Sequence, residues 1–259
     1  MPDRKTALIT GASFGIGAEF ARIFAREGYN LVLVARRADK LRQIASELEK
    51  AHGTRSLILA ADLTDPGAPA YVIDQTTRAD IQVDVLVNNA GFGQYGFFAQ
   101  NDLEECLRQI QLNVTTLTHL TRLYLPGMID RKDGGILNVA STAAFQPGPL
   151  MAVYFATKSY VLLLSEALAN ELCETGVSAT CLCPGATATE FHKRANATEM
   201  RLLKFGSMDA KTVAEDGYRA FVAGRPVVIS GFKNWLLAQS VRFSPRRLVT
   251  VIARKTQEE

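Results

Sequence analysis

Tyr154 and Lys158 stand four residues apart in Tyr154-Phe155-Ala156-Thr157-Lys158, and Ser141 lies thirteen positions before the tyrosine. On a helix, residues four apart share a face one turn apart, so phenol and ammonium can serve one site. A free phenol gives up its proton near pH ~10, and an adjacent cation favours the phenolate and draws that value down. A hydroxyl held nearby, such as that of Ser141, can then bind the carbonyl oxygen that receives the proton. The chemistry on offer is general acid–base catalysis at an oxygen. Pairs with this spacing also occur on helices that carry no site, so their meaning depends on what the chain places around them.

Short apolar runs alternate with longer helical stretches, the pattern of a parallel sheet covered by helices on both faces. Strands are predicted at 7–10, 31–35, 56–60, 83–88, 135–140, 178–183 and 227–230, and helices at 15–27, 40–51, 66–78, 103–128, 151–174 and 210–223. The class is α/β, with a doubly wound, seven-stranded parallel sheet whose carboxyl edge is where ligands collect. At 259 residues the expectation is a single catalytic domain over 1–259, with a substrate lid at 186–207 and a basic C-terminal extension at 231–259.

The first strand runs through Thr10-Gly11-Ala12-Ser13-Phe14-Gly15-Ile16-Gly17 into a helix. Glycines there permit a tight turn and bring backbone N–H groups and the positive helix end against a pyrophosphate. The spacing is Gly-x3-Gly-x-Gly, which departs from the commonest dinucleotide fingerprint. A turn that needs glycine only for positive φ is the alternative. The second strand ends in Ala35-Arg36-Arg37, where arginine suits a 2′-phosphate and an acid suits a bare ribose. NADP is therefore favoured over NAD, against the alternative of a solvated arginine pair, with Asp39 close by as a counterweight. Asp62 after the third strand can accept from an adenine amino group, and Asn88-Asn89-Ala90-Gly91 after the fourth lets a cofactor lie close; ordinary turn chemistry explains either alone. Asn113 falls inside a predicted helix, where it is either an exposed polar residue or a buried one that needs partners.

Thr-Gly-x3-Gly-Ile-Gly at 10–17, Asn-Asn-Ala-Gly at 88–91, Ser141, Tyr154-x3-Lys158 and Pro184-Gly185 together resemble the short-chain dehydrogenase/reductase family, over about residues 5–230. The resemblance implies a Rossmann-like fold and hydride transfer between NADP(H) and a carbonyl or its alcohol. It implies Tyr154 as proton donor in reduction and Ser141 as the hydrogen-bond donor that orients substrate. Lys158 would hold the nicotinamide ribose and lower the tyrosine's pKa, and Asn113 would keep a water relay to that lysine. Cofactor contacts are implied for Gly11, Ser13, Phe14, Gly15, Ile16, Gly17, Arg36, Arg37, Asp62, Leu63, Asn89, Ala90 and Gly91. The same holds for Tyr154, Lys158, Pro184, Gly185, Thr187 and Thr189. One departure concerns Phe14: many NADP-using relatives carry a basic residue there, so Arg36 and Arg37 must hold the 2′-phosphate alone.

Phe92, Tyr95, Phe145, Pro147 and Phe191 lie on loops at the strand ends and point to a partly apolar substrate pocket. The lid also carries His192, Lys193, Arg194, Arg201 and Lys204, which suit an acidic substrate group or, more simply, a solvated helix. The substrate class is a ketone or aldehyde, with 3-oxoacyl or 3-hydroxy acid types among the candidates. A dinucleotide-binding redox sensor is the alternative from another class, although it has no need of Ser141, Tyr154, Lys158 and Asn113 together. An epimerase or dehydratase fits less well.

A net charge of +3 gives no reason to expect nucleic acid, and no apolar run approaches a membrane span. A cytoplasmic location is expected. Cys106, Cys173, Cys181 and Cys183 read as free thiols, and His52, His119 and His192 are too scattered for a metal site. From Gly224 onward seven Lys/Arg face only Glu258 and Glu259. With Phe232, Trp235, Leu236, Leu237, Val241 and Phe243 this segment makes either a packing surface for another subunit, the default in a homodimer or homotetramer, or a basic amphipathic segment on an anionic membrane.

Overall fold

The computed structural model describes residues 4–189, 195 and 206–258. Strands β1 (Thr6–Thr10), β2 (Asn30–Ala35), β3 (Ser56–Ala60), β4 (Val85–Asn88), β5 (Gly134–Val139), β6 (Val177–Cys183) and β7 (Val227–Ile229) form one parallel sheet in the order β3-β2-β1-β4-β5-β6-β7. Around it lie α1 (Gly15–Arg26), α2 (Ala38–His52), α3 (Ala68–Arg78), α4 (Leu103–Ile110), α5 (Leu117–Arg131), α6 (Ala152–Glu171) and α7 (Ala210–Val222). Two further helices, α8 (Phe232–Arg242) and α9 (Arg246–Gln257), end the described chain.

Successive strand residues face opposite sides of a sheet, and here both sides are apolar. Ala7, Ile9, Leu31 and Leu33 enter a core closed by α1, α2 and α7, whereas Leu8, Val32, Val34 and Leu86 enter one closed by α3, α5 and the end of α6. This is the Rossmann-like, doubly wound arrangement the sequence predicts. Strand order reverses between β1 and β4, which opens a crevice outside their carboxyl ends.

Helix starts follow local chemistry. Asp102 caps α4 by accepting from the Glu105 N–H at 3.2 Å, and Asp209 caps α7 by accepting from Thr212 N–H at 3.1 Å. By contrast α1 begins after Phe14, a side chain with no oxygen to offer, and its first turn holds no acid.

Three differences from expectation matter. The helix predicted at 103–128 is broken by a π-helical segment, Gln111–Thr116, between α4 and α5. Its side chains bond outside the helix: Thr116 donates to the Leu63 carbonyl at 2.8 Å, and Asn113 reaches the Phe92 backbone. Wide turns of this kind favour functional sites. β4 starts at Val85, because Asp84 turns its carboxylate onto the Thr6 N–H at 2.8 Å. Finally, α8 and α9 bury only Ala238 on one and Val249, Ala253 and Gln257 on the other, too narrow a stripe to read as a core helix. Most of the expected lid, with Phe191, His192, Lys193, Arg194, Arg201 and Lys204, lies outside the described residues.

Candidate active site

The β1–α1 turn needs its glycines for conformation and for close approach. Gly11 and Gly15 have φ of +67° and +53°, a region costly for side chains other than glycine. A Cβ on Gly11 would stand 2.8 Å from Asn89 Nδ2, and one on Gly17 would strike the Gly11 carbonyl oxygen. The turn is thus pressed against the end of β4. Thr10 fastens the two: its hydroxyl accepts from the Asn89 and Ala90 N–H groups at 2.9 and 3.0 Å and donates to the Val87 carbonyl at 3.2 Å. Asn89 Nδ2 in turn donates to the Thr10 carbonyl at 2.9 Å.

A cavity of about 1540 Å³ runs along this edge. Gly11, Ser13, Phe14, Gly15 and Ile16 line its middle, opposite Asn89, Ala90 and Gly91. Gly17 lies buried beneath the turn and outside the wall. The uncapped first turn of α1 presents N–H groups to this space, a fit for an anionic diphosphate.

At one end stand Arg36, Arg37, Asp62 and Leu63. The Arg37 guanidinium carbon lies 3.7 Å over the centre of the Phe14 ring, a cation–π stack. Phe14 therefore supports a cation at this end of the cavity. Burial raises the Asp62 carboxyl, but hydrogen bonds from the Thr64 N–H and hydroxyl, at 3.0 and 2.8 Å, and the charges of Arg36 and Arg108 hold it below the usual value. Arg108, which the sequence did not single out, reaches Asp62 at 3.6 Å.

At the other end Ser141, Tyr154 and Lys158 share the cavity wall. Ser141 follows β5 and caps a short 3-10 turn, Thr142–Phe145, accepting from the Ala143 N–H at 3.1 Å and donating to the Pro184 carbonyl at 3.4 Å. Tyr154 and Lys158 sit on successive turns of α6, with Nζ 5.8 Å from the centre of the tyrosine ring. Lys158 is 5% exposed, and Nζ donates to the Val139 carbonyl at 2.8 Å. Burial pulls its pKa down to about 8, against the opposing influence of Cys181 and Cys183. Burial pushes the Tyr154 phenol up to about 12, with the hydrogen bond to Ser141 acting the other way. Burial therefore leaves the phenol above its ordinary value, and the influence that lowers it here is the Ser141 hydrogen bond, where the resemblance assigns that part to Lys158.

Asn113 is outside the wall, 1% exposed, behind Gly91. Its Nδ2 donates to the Phe92 carbonyl at 2.9 Å and to Thr157 Oγ1 at 3.1 Å, and its Oδ1 accepts from the Phe92 N–H at 3.2 Å. Thr157 passes the connection on, donating to the Tyr154 carbonyl at 2.8 Å. The amide side chain braces the turn of α6 that carries the tyrosine. Pro184, Gly185, Thr187 and Thr189 complete the wall. Gly185 admits the Asn234 side chain of α8, which donates to the Ser230 carbonyl at 2.7 Å.

Of the aromatic residues expected around substrate, Phe145 lines the cavity. Phe92 instead belongs to the core, because its backbone is clamped by Asn113. Tyr95 packs beside Met151 and Phe155 and donates its hydroxyl to the Gln257 carbonyl at 2.9 Å, and Pro147 is exposed outside the wall. The wall there is built by residues the sequence did not assign to a pocket: Met151 and Phe155, with Phe232, Leu237, Thr256 and Gln257 from α8 and α9. The only signal for α9 is the spacing of Val249, Ala253 and Gln257, four apart. Cys181 and Cys183 are buried free thiols with sulfurs 3.8 Å apart. Among the described residues no cluster of three or more His, Cys, Asp or Glu is placed to hold a metal.

Residues 5–200 match the family model described as short chain dehydrogenase. The very-long-chain 3-oxoacyl-CoA reductase of Bos taurus is 34% identical over 192 residues, covering 72% of this chain and 61% of that protein. The chain spans about 60% of the length of the curated relatives matched first. A short-chain dehydrogenase from Sphingobium yanoikuyae, solved in complex with NADPH, is 36% identical with a TM-score of 0.82, covering 92% of this chain and 94% of its own. The bulky-bulky ketone specific alcohol dehydrogenase from Comamonas testosteroni is 33% identical with a TM-score of 0.77, covering 92% of each chain.

Proposed function

From the premise that the chain belongs to the short-chain dehydrogenase/reductase family of oxidoreductases, we propose that it interconverts a carbonyl and its alcohol with NADP(H). The observation that carries this reading is one cavity with an anion-binding glycine turn at its middle, arginines at one end and Ser141, Tyr154 and Lys158 at the other. The glycine turn would hold the diphosphate and Arg36 with Arg37 the 2′-phosphate. The NADPH complex of the Sphingobium relative supports that preference. Asp62 and Leu63 would meet the adenine, and Lys158 the nicotinamide ribose.

When bound, the dinucleotide supplies or accepts the hydride. The protein's own part is the proton. Ser141 turns its O–H from the long 3.4 Å bond to the Pro184 carbonyl onto the substrate oxygen, and Tyr154, protonated at neutral pH, delivers its phenolic proton to that oxygen as the alcohol forms. The charge then left on the phenolate is met by Lys158 one helical turn away. Asn113 and Thr157 keep that turn fixed, so the donor is held in place before substrate arrives. A redox sensor would have no use for this convergence.

The substrate is a bulky, largely apolar carbonyl compound, since Phe145, Met151, Phe155 and Leu237 form the wall beside Tyr154. The printed names of the bovine and Comamonas relatives, which act on 3-oxoacyl-CoA and bulky ketones, lend support. Leu103, Leu107, Ile110, Tyr160 and Leu163 expose an apolar face on α4 and α6, which suits pairing with a second copy. The function is tested by following NADPH absorbance with a panel of ketones, aldehydes and 3-oxoacyl thioesters, with NADH alongside. Turnover with bulky ketones and NADPH is expected. Binding of NADPH without oxidation by any member would overturn the catalytic reading.

A further inference from the structure

Residues 231–257 hold six Lys/Arg and no Asp or Glu. Arg254 is paired with Glu258 at 2.8 Å, while Lys233, Arg242, Arg246, Arg247 and Lys255 are exposed. The same two helices leave Phe232, Leu236, Leu237, Phe243, Val251 and Ile252 more than half exposed, Phe243 to 89% in the three-residue link between them. Trp235 is 45% exposed and stacks on Phe232, their ring centres 5.9 Å apart. Apolar side chains this exposed carry a large solvation cost unless something covers them.

The charge decides what covers them. A second copy joined helix to helix through this segment would bring six more cations and no acid from residues 231–257 to the contact. An anionic bilayer answers both halves: apolar side chains enter the headgroup–acyl boundary, tryptophan prefers that depth, and lysines and arginines meet lipid phosphates. Among the described residues no helix is long and apolar enough to cross a membrane, so the contact is with the surface. Phe232 and Leu237 belong at once to this patch and to the cavity wall, so the patch and the cavity adjoin.

We propose that α8 and α9 dock the protein on an anionic lipid surface, with the cavity mouth turned toward the lipid. Packing against another subunit is the competing occupant of this segment, while α4 and α6 expose an apolar face of their own.

Trp235 is the single tryptophan of the chain, so intrinsic emission reports on this patch alone. The full-length protein is titrated with vesicles of phosphatidylcholine, and of phosphatidylcholine with roughly a third phosphatidylglycerol, at low and high salt, with flotation in parallel. A blue shift and co-flotation are expected with the anionic vesicles only, weakening as salt rises. Arg246→Glu with Arg247→Glu should lower partitioning about tenfold or more, and Phe243→Glu should also lower it, with unfolding temperature and elution volume unchanged in both variants. Equal binding to neutral vesicles, or no binding to either, would overturn the proposal. So would a fall in solution mass on Phe243→Glu, which would make this face a contact between copies.

Discussion

Replacing Lys158 by Met should make the protein more stable and catalytically empty. The lysine is 5% exposed, and burial takes its pKa from 10.5 to about 8. Holding the ammonium there costs the folded state about 3 kcal/mol below pH 8, at 1.36 kcal/mol for each tenfold change. A methionine of similar length removes that cost but forfeits the 2.8 Å bond to the Val139 carbonyl, worth about 1 kcal/mol. The net expectation is a gain of about 2 kcal/mol at pH 7, or a rise of ~4–8 °C in unfolding temperature. The sign with pH follows from the folded pKa lying below the unfolded one. Between about pH 8 and 10.5 the unfolded chain binds more protons, so wild-type stability rises with pH through this window relative to the variant. The assay is urea unfolding of both proteins at pH 7 and pH 10, without cofactor. The variant's advantage should shrink by about 2 kcal/mol at the higher pH. A variant less stable than wild type at pH 7, or a gap independent of pH, would refute the cost assigned to the buried lysine. The same variant should lose NADPH-induced stabilisation, as expected when function is held at the expense of stability.

Phe14→Leu removes the ring beneath Arg37, and NADPH dissociation constants from fluorescence titration should rise about 3- to 10-fold while those for NADH move little. Equal weakening of both would mean that Phe14 shapes the turn and leaves the 2′-phosphate preference alone. Leu107→Glu with Leu163→Glu, on the exposed face of α4 and α6, should halve the solution mass measured by light scattering without lowering the unfolding temperature of the subunit. An unchanged mass would place the subunit contact elsewhere.

The sheet was legible because each strand is a short apolar run bounded by turn residues, with both faces buried. The glycine-turn half of the cavity was legible because its parts are contiguous in sequence: the turn at Gly11–Gly17, Arg36 with Arg37, and Asn89 to Gly91. What stayed hidden depends on distant contacts. The π-helical segment is set by Asn113 reaching Phe92 and Thr116 reaching Leu63, and no local propensity announces it. The far wall at the Tyr154 end comes from α8 and α9, held in part by the Tyr95 hydroxyl on the Gln257 carbonyl across 162 positions. Loop aromatics were the weakest basis for inference, since sequence cannot say whether a ring such as Phe92 faces a cavity or the core. Phe14 offers no charge of its own, and only the fold lays the Arg37 guanidinium over its ring.

The proposed reaction turns on the Tyr154 proton, and Tyr154→Phe isolates it. The phenol oxygen is lost while the ring, the Lys158 bond to Val139 and the glycine turn remain. Rapid mixing of the variant with NADPH and a ketone that the wild type reduces, followed by absorbance over a single turnover, separates binding from chemistry. NADPH affinity should stay within about twofold of wild type, while the rate of the chemical step should fall about 10²- to 10⁴-fold. A variant that reduces the ketone at the wild-type rate would contradict the assignment of Tyr154 as the proton donor.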